Sequence, residues 1–220
     1  MVKIGLPDDL ESDLAQSLPP LQRLALAHAP ATMRAPVLAL LALDLRLATI
    51  LRQPGEVLLR QVKLAWWRDR FRSNPAEWPE GEPLLALLRN WPADFGALAA
   101  MVDGWEVLLG EDLNEAALAQ FSGGRAAGWA ALADGHAAQV EQAARQYALA
   151  DLTLNLEDPD EADRTRTLAL AEPAMTLPRR FRSLALMRGL TRRALEKRAE
   201  SALDGPGAAL AALRLGLFGR

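Results

Sequence analysis

Carboxylates are the groups in this sequence with the greatest capacity for chemistry. Twenty-eight acidic residues stand against two histidines and no cysteine. Acid–base, metal-binding or charge-stabilising work would therefore fall to Asp and Glu rather than to thiolates or imidazoles. Three groupings have spacings that matter. Asp44 lies in the most apolar helical stretch of the chain, with Arg46 two residues on. A charge inside a buried helix is costly unless paired, so Asp44 is either half of a structural ion pair or a pocket residue. Asp103-Gly104-Trp105-Glu106 sets two acids three apart on one helical face, an arrangement that an exposed face also explains. Residues 157–163 hold Glu157, Asp158, Asp160, Glu161 and Asp163. Asp158 and Asp163 could offer oxygen ligands to a hard cation such as Mg²⁺. A helix start, with Asp158 at the cap, Pro159 first inside and Glu161 three past the cap, is the preferred reading.

Several function classes lose support. His28 and His136 fall in separate helical stretches, which leaves no histidine metal site or triad. Gly123-Gly124 precedes Arg125, but no strand leads into it, as a phosphate loop requires. Six tryptophans could stack on bases, yet net charge is −3 and no basic stripe runs among them, so nucleic acid is not expected. The charge is unevenly spread: residues 1–163 carry 13 basic and 24 acidic side chains (−11), residues 164–220 carry 12 and 4 (+8). This marks either a surface for an anionic partner or two halves that attract each other. The apolar run Val37–Leu51 contains Asp44 and Arg46 and is short for a bilayer span. Asp8, Asp9, Glu11 and Asp13 do not suit an export signal. A cytoplasmic protein, at most peripheral at a membrane, is expected.

Ala and Leu dominate while Val, Ile, Thr and Tyr are scarce, a mix that favours helix over strand. The sequence predicts one all-α domain over 1–220, a bundle of about eight helices behind an acidic, loosely ordered segment 1–18. Helices are expected at Pro19–Ala29, after Pro36 to Arg52, at Glu56–Phe71, Pro83–Asn90 and Phe95–Leu109. The next should start at Glu115 under an Asn114 cap and be interrupted at Gly123-Gly124. A long helix is expected from Arg125 to Asn155, weakened at Gly128 and Gly135, then one from Asp158 to a break at Glu172-Pro173. Helices at 178–203 and 208–217 complete the set. In helix 178–203, Phe181, Leu184, Met187, Leu190, Thr191, Ala194 and Leu195 share one side, flanked by Arg182, Arg188, Arg192 and Arg193. Trp66 and Trp67 are adjacent and point about 100° apart, which predicts a helix covered on two sides.

The order of elements is similar to that of the squalene/phytoene synthase family, head-to-head prenyl transferases. Leu64-Ala65-Trp66-Trp67-Arg68-Asp69 resembles the family's L-x-W-W-R-x stretch. Gly81–Leu88, Met101–Glu106, Phe121–Trp129 and Ala148–Asn155 resemble the segments that follow it, so the likeness spans roughly residues 20 to 200. The resemblance implies an isoprenoid synthase-like fold. In that family, paired carboxylates four residues apart on facing helices hold Mg²⁺ against the diphosphates of two prenyl substrates. Here the first motif falls near Arg46–Ile50, which has no acid, and the second near Asn155–Asp163, where Pro159 replaces an expected acid. Val107 stands where another aspartate is expected after Asp103.

The resemblance therefore implies a non-catalytic member, an assembly factor with a protein client or a binder of an isoprenoid or lipid chain, similar in kind to the mitochondrial complex I assembly factor of this superfamily. The candidate pocket residues are Asp44, Arg46, Asp103 and Asn155. A divergent Mg²⁺-dependent prenyl transferase remains an alternative if Asp44, Asp103, Asp158 and Asp163 converge on one cavity. An unrelated helical adaptor is the other.

Overall fold

The computed structural model describes residues 8–110, 112–171 and 175–218. Among the described residues there are eleven α-helices and no strand. In order they are α1 (Asp8–Ser17), α2 (Pro20–Ala27), α3 (Ala31–Arg52), α4 (Val57–Arg72), α5 (Pro83–Leu88), α6 (Gly96–Glu106), α7 (Glu115–Ala131), α8 (Ala137–Thr153), α9 (Pro159–Leu170), α10 (Arg182–Lys197) and α11 (Pro206–Phe218). Short 3₁₀ turns at Pro75–Glu77, Val107–Leu109 and Arg179–Phe181 join some of them.

Two local features change the helix count from the expected set. The acidic N-terminal stretch is not loose from residue 8 on: Leu10 and Leu14, four apart, give α1 an inner side, and Leu14 and Ala15 pack on the core. Residues 1–7 lie outside the described part. The expected helix 125–155 is also two helices, because Gly135 adopts φ +75°, a left-handed turn favoured by glycine. Gly123-Gly124, by contrast, interrupts nothing. α7 runs through both, under an Asn114 side chain that accepts from the Ala117 N–H. The expected break at Glu172-Pro173 lies outside the described residues.

α3 is the central element. Val37 through Asp44 are all buried, and the helix touches α1, α2, α4, α5, α6 and α7. It begins at Ala31, ahead of Pro36, whose missing N–H removes one bond without ending the helix. One connected apolar core extends from Leu18 to Leu215. α6 and α7 pack backbone to backbone: a Cβ on Gly124 would lie 2.5 Å from the Ala100 carbonyl oxygen and 2.7 Å from Gly104 Cα. On α10 the predicted apolar side is buried, but Arg188 is buried with it and donates to the Met175 carbonyl at 2.5 Å. Burial, then the charge of Arg192, lowers the Arg188 pKa.

The tryptophan pair corrects a prediction. Trp67 is buried beside Phe71, its ring 5.9 Å away, whereas Trp66 is 38 % exposed. α4 is covered on one side, by α6 and α3, and not on two.

Candidate functional site

The close approach at Gly124 sets the neighbouring Arg125 between three helices. Its side chain is 4 % exposed. Nε donates to Asp44 Oδ1 of α3 at 3.0 Å and Nη2 to Asp44 Oδ2, a bidentate pair. Nη1 lies 3.0 Å from Asp151 Oδ2 of α8. Trp105 of α6 donates its indole N–H to Asp44 Oδ1 at 2.8 Å. The guanidinium carbon sits 5.1, 5.4 and 5.3 Å from the ring centroids of Trp105, Phe121 and Tyr147, an aromatic collar that excludes water.

Electrostatics follow from that arrangement. Burial works against the charge on Arg125, but the carboxylates of Asp44 and Asp151 outweigh it and raise its pKa. Asp151 is pushed up from the ordinary carboxylate value by burial, an effect that Arg125 opposes and Asp44 reinforces. Tyr147, which accepts at its hydroxyl from Gln22 at 3.2 Å, is raised well above 10.0 by burial and then by the Asp151 charge. Arg52 donates to Asn155 Oδ1 at 3.0 Å at the outer edge of the group.

A cavity of about 360 Å³ opens beside this cluster. Asp44, Asp151, Arg52 and Asn155 are among its polar lining residues, with Leu41, Ala48 and Leu154 among the apolar ones. The other sequence candidates go elsewhere. Arg46 makes a bidentate pair with Glu82, both contacts 3.1 Å, and so ties α3 to the start of α5. Asp103 and Glu106 both hold Arg68 of α4 at an open surface depression. Asp158 caps α9, accepting from the N–H groups of Asp160 and Glu161 at 2.9 Å each. Asp163 faces solvent near Arg166 and Arg198. The structure thus brings Asp44 and Asn155 to one cavity and leaves Arg46, Asp103, Asp158 and Asp163 outside it.

Arg125, Asp151, Trp105 and Arg52 were not singled out by the sequence. One available signal was the rule applied to Asp44. A lone arginine in a run of Gly and Ala residues must also find a partner wherever that run packs inside.

An all-helical body with a cavity that takes an acid from each of two helices is isoprenoid synthase-like in organisation. Residues 23–111, from α2 to just past α6, match the family model described as squalene/phytoene synthase. Comparison with curated proteins and with solved structures gives no match.

The residues present do not fit the family's Mg²⁺. The positions four on from Asp44 and Asp151 are Ala48 and Asn155, so neither helix offers a second carboxylate to the cavity. The two acids that do face each other are already bridged by Arg125. Among the described residues no group of three or more His, Cys, Asp or Glu could hold a metal ion.

Proposed function

We propose that this chain is a non-catalytic squalene/phytoene synthase-like protein that binds one prenyl or other lipid chain in the cavity between α3 and α8, in the cytoplasm or peripherally at a membrane. The observation that carries the reading is Arg125. Its guanidinium neutralises Asp44 and Asp151 from within the fold, where a prenyl transferase needs free carboxylates for metal and diphosphate. Two features support it. A volume of about 360 Å³ is at the small end of ligand pockets, roughly 300–1,000 Å³, and suits one chain better than two substrates side by side. Leu21, Leu41, Ala48 and Leu154 give the cavity apolar surface beside its polar groups. The alternative transferase needs Asp44, Asp103, Asp158 and Asp163 together, and three of these point away. The family match over residues 23–111 speaks against an unrelated adaptor. An assembly role with a protein client, the other implication of the resemblance, is favoured only by the exposed apolar face of α4.

The test is incubation of the purified chain with farnesyl or geranylgeranyl diphosphate, with and without Mg²⁺. The expected outcome is no diphosphate release in either case, and a rise in melting temperature with prenyl ligand that Mg²⁺ does not alter. Mg²⁺-dependent release of diphosphate would overturn the proposal.

A further inference from the structure

α4 is apolar where a surface helix should be polar. Its inner side is Leu64, Trp67 and Phe71, all buried. Its outer side carries a second apolar set: Leu58 is 64 % exposed, Leu59 and Val62 58 % each, and Val57 43 %. Trp66 extends the stripe one turn past Val62. The turn leading into the helix, Pro54-Gly55-Glu56, is exposed as well, so the start of α4 forms a projecting tip. No helix among the described residues is long and apolar enough to cross a membrane, so the tip is not the end of a span.

Geometry narrows what could cover it. At about 100° per residue, Val57, Leu58 and Leu59 fan out over roughly 200° of the helix surface. A partner helix or a flat protein face covers one side of a helix and cannot reach all three. A lipid interface, which closes around an inserted tip, can.

Charge narrows it further. Residues 52–72 carry Arg52, Arg60, Lys63, Arg68, Arg70 and Arg72 against Glu56 and Asp69, a balance of +4 within residues 1–163, which total −11. Arg60 donates to the carbonyls of Leu51 and Gly55, Lys63 donates to the Gln53 side chain, and Arg70 lies 5.7 Å from the Trp66 ring centroid. Among the described residues none of these three is in an ion pair. A basic border around an apolar, tryptophan-bearing face complements an anionic lipid surface. The same border would repel a second copy of itself.

We infer that the start of α4, with the turn before it, inserts peripherally into an anionic lipid surface. Leu58, Leu59 and Val62 enter the acyl boundary, Trp66 sits at headgroup level, and Lys63, Arg70 and Arg72 meet the lipid charges. This reading does not depend on the cavity or its ligand.

The test is co-sedimentation of the full chain with vesicles of phosphatidylcholine alone and of phosphatidylcholine with phosphatidylglycerol. The wild type should bind only the anionic vesicles. The L58S/L59S/V62S variant changes exposed positions alone, so it should keep its helical circular dichroism and lose about tenfold or more in partitioning. K63E/R72E should weaken binding as well. L210S/L213S, which alters exposed leucines on α11, should bind as the wild type does. No wild-type binding to anionic vesicles would overturn the inference, as would equal binding by the triple variant or loss confined to the α11 variant. Concentration-dependent self-association that the triple variant abolishes, without vesicle binding, would instead assign the face to a second copy.

Discussion

Arg125 and Arg68 are each held between two acids, and they do different things. Arg68 joins α4 to Asp103 and Glu106 of α6, with the side chains of its partners 40 % and 30 % exposed. Burial works against its charge, but Glu106 and Asp103 together outweigh it and raise its pKa, and water can replace either partner. Arg125 joins α3, α7 and α8 in the interior, ringed by aromatics, where nothing replaces a lost partner. The same ionic triad is a surface fastening in one place and an internal cation in the other. Burial makes the difference.

The largest expected effect is therefore at Arg125. Arg125→Met leaves Asp44 and Asp151 facing each other uncompensated and should cost about 3–5 kcal/mol in denaturant unfolding. Adding Asp44→Asn and Asp151→Asn should recover part of that loss. If Arg125→Met unfolds no more easily than Arg68→Met, burial does not separate the two triads.

Next in size is the packing that delivers Arg125. A methyl at Gly124 meets backbone of α6 rather than a side chain that can turn away. Gly124→Ala should therefore cost about 1–3 kcal/mol or more, while Gly135→Ala acts only through its backbone angle. Equal costs at the two sites would show that α6 and α7 are not so closely apposed.

A pH-dependent effect follows from Tyr147, the single tyrosine of the chain. Its folded pKa is raised, so the unfolded chain ionises first. Stability is intact below pH 10 and declines as pH rises from there through the folded value. Tyrosinate absorbance should appear together with loss of helical signal. Ionisation near pH 10 in the folded protein would show that the aromatic collar admits water.

The smallest effect belongs to the outer triad. Arg68→Ala should cost about 1 kcal/mol or less, and added salt should erase most of it. The Arg125→Met penalty should survive the same salt. A large, salt-resistant cost at Arg68 would mean that this depression is drier than its exposure indicates.

Much of the architecture was legible from local rules. Asn114, Asp158 and Pro159 mark helix starts as their chemistry requires, and the alanine–leucine bias gives an all-helical chain. Failures came where one residue type serves two ends. Gly123-Gly124 has the sequence signature of an interruption, yet in the fold Gly124 admits a neighbouring backbone, and a three-dimensional crossing leaves no trace in a helical period. Trp66 has the residue type of a core position, but the described residues leave it 38 % exposed. Of the site, Asp44 was legible because a charge stood out in an apolar run. Asp151 and Arg125 were less so, since both sit in mixed helices where a charge attracts no notice. Only the fold shows that they meet.

The central claim is that Asp44 and Asp151 are committed to Arg125. A calorimetric titration of Mg²⁺ into the purified wild-type chain tests it most directly. The account predicts no saturable heat, and the same result with Asp44→Asn/Asp151→Asn. Stoichiometric Mg²⁺ binding that this double variant abolishes would contradict it.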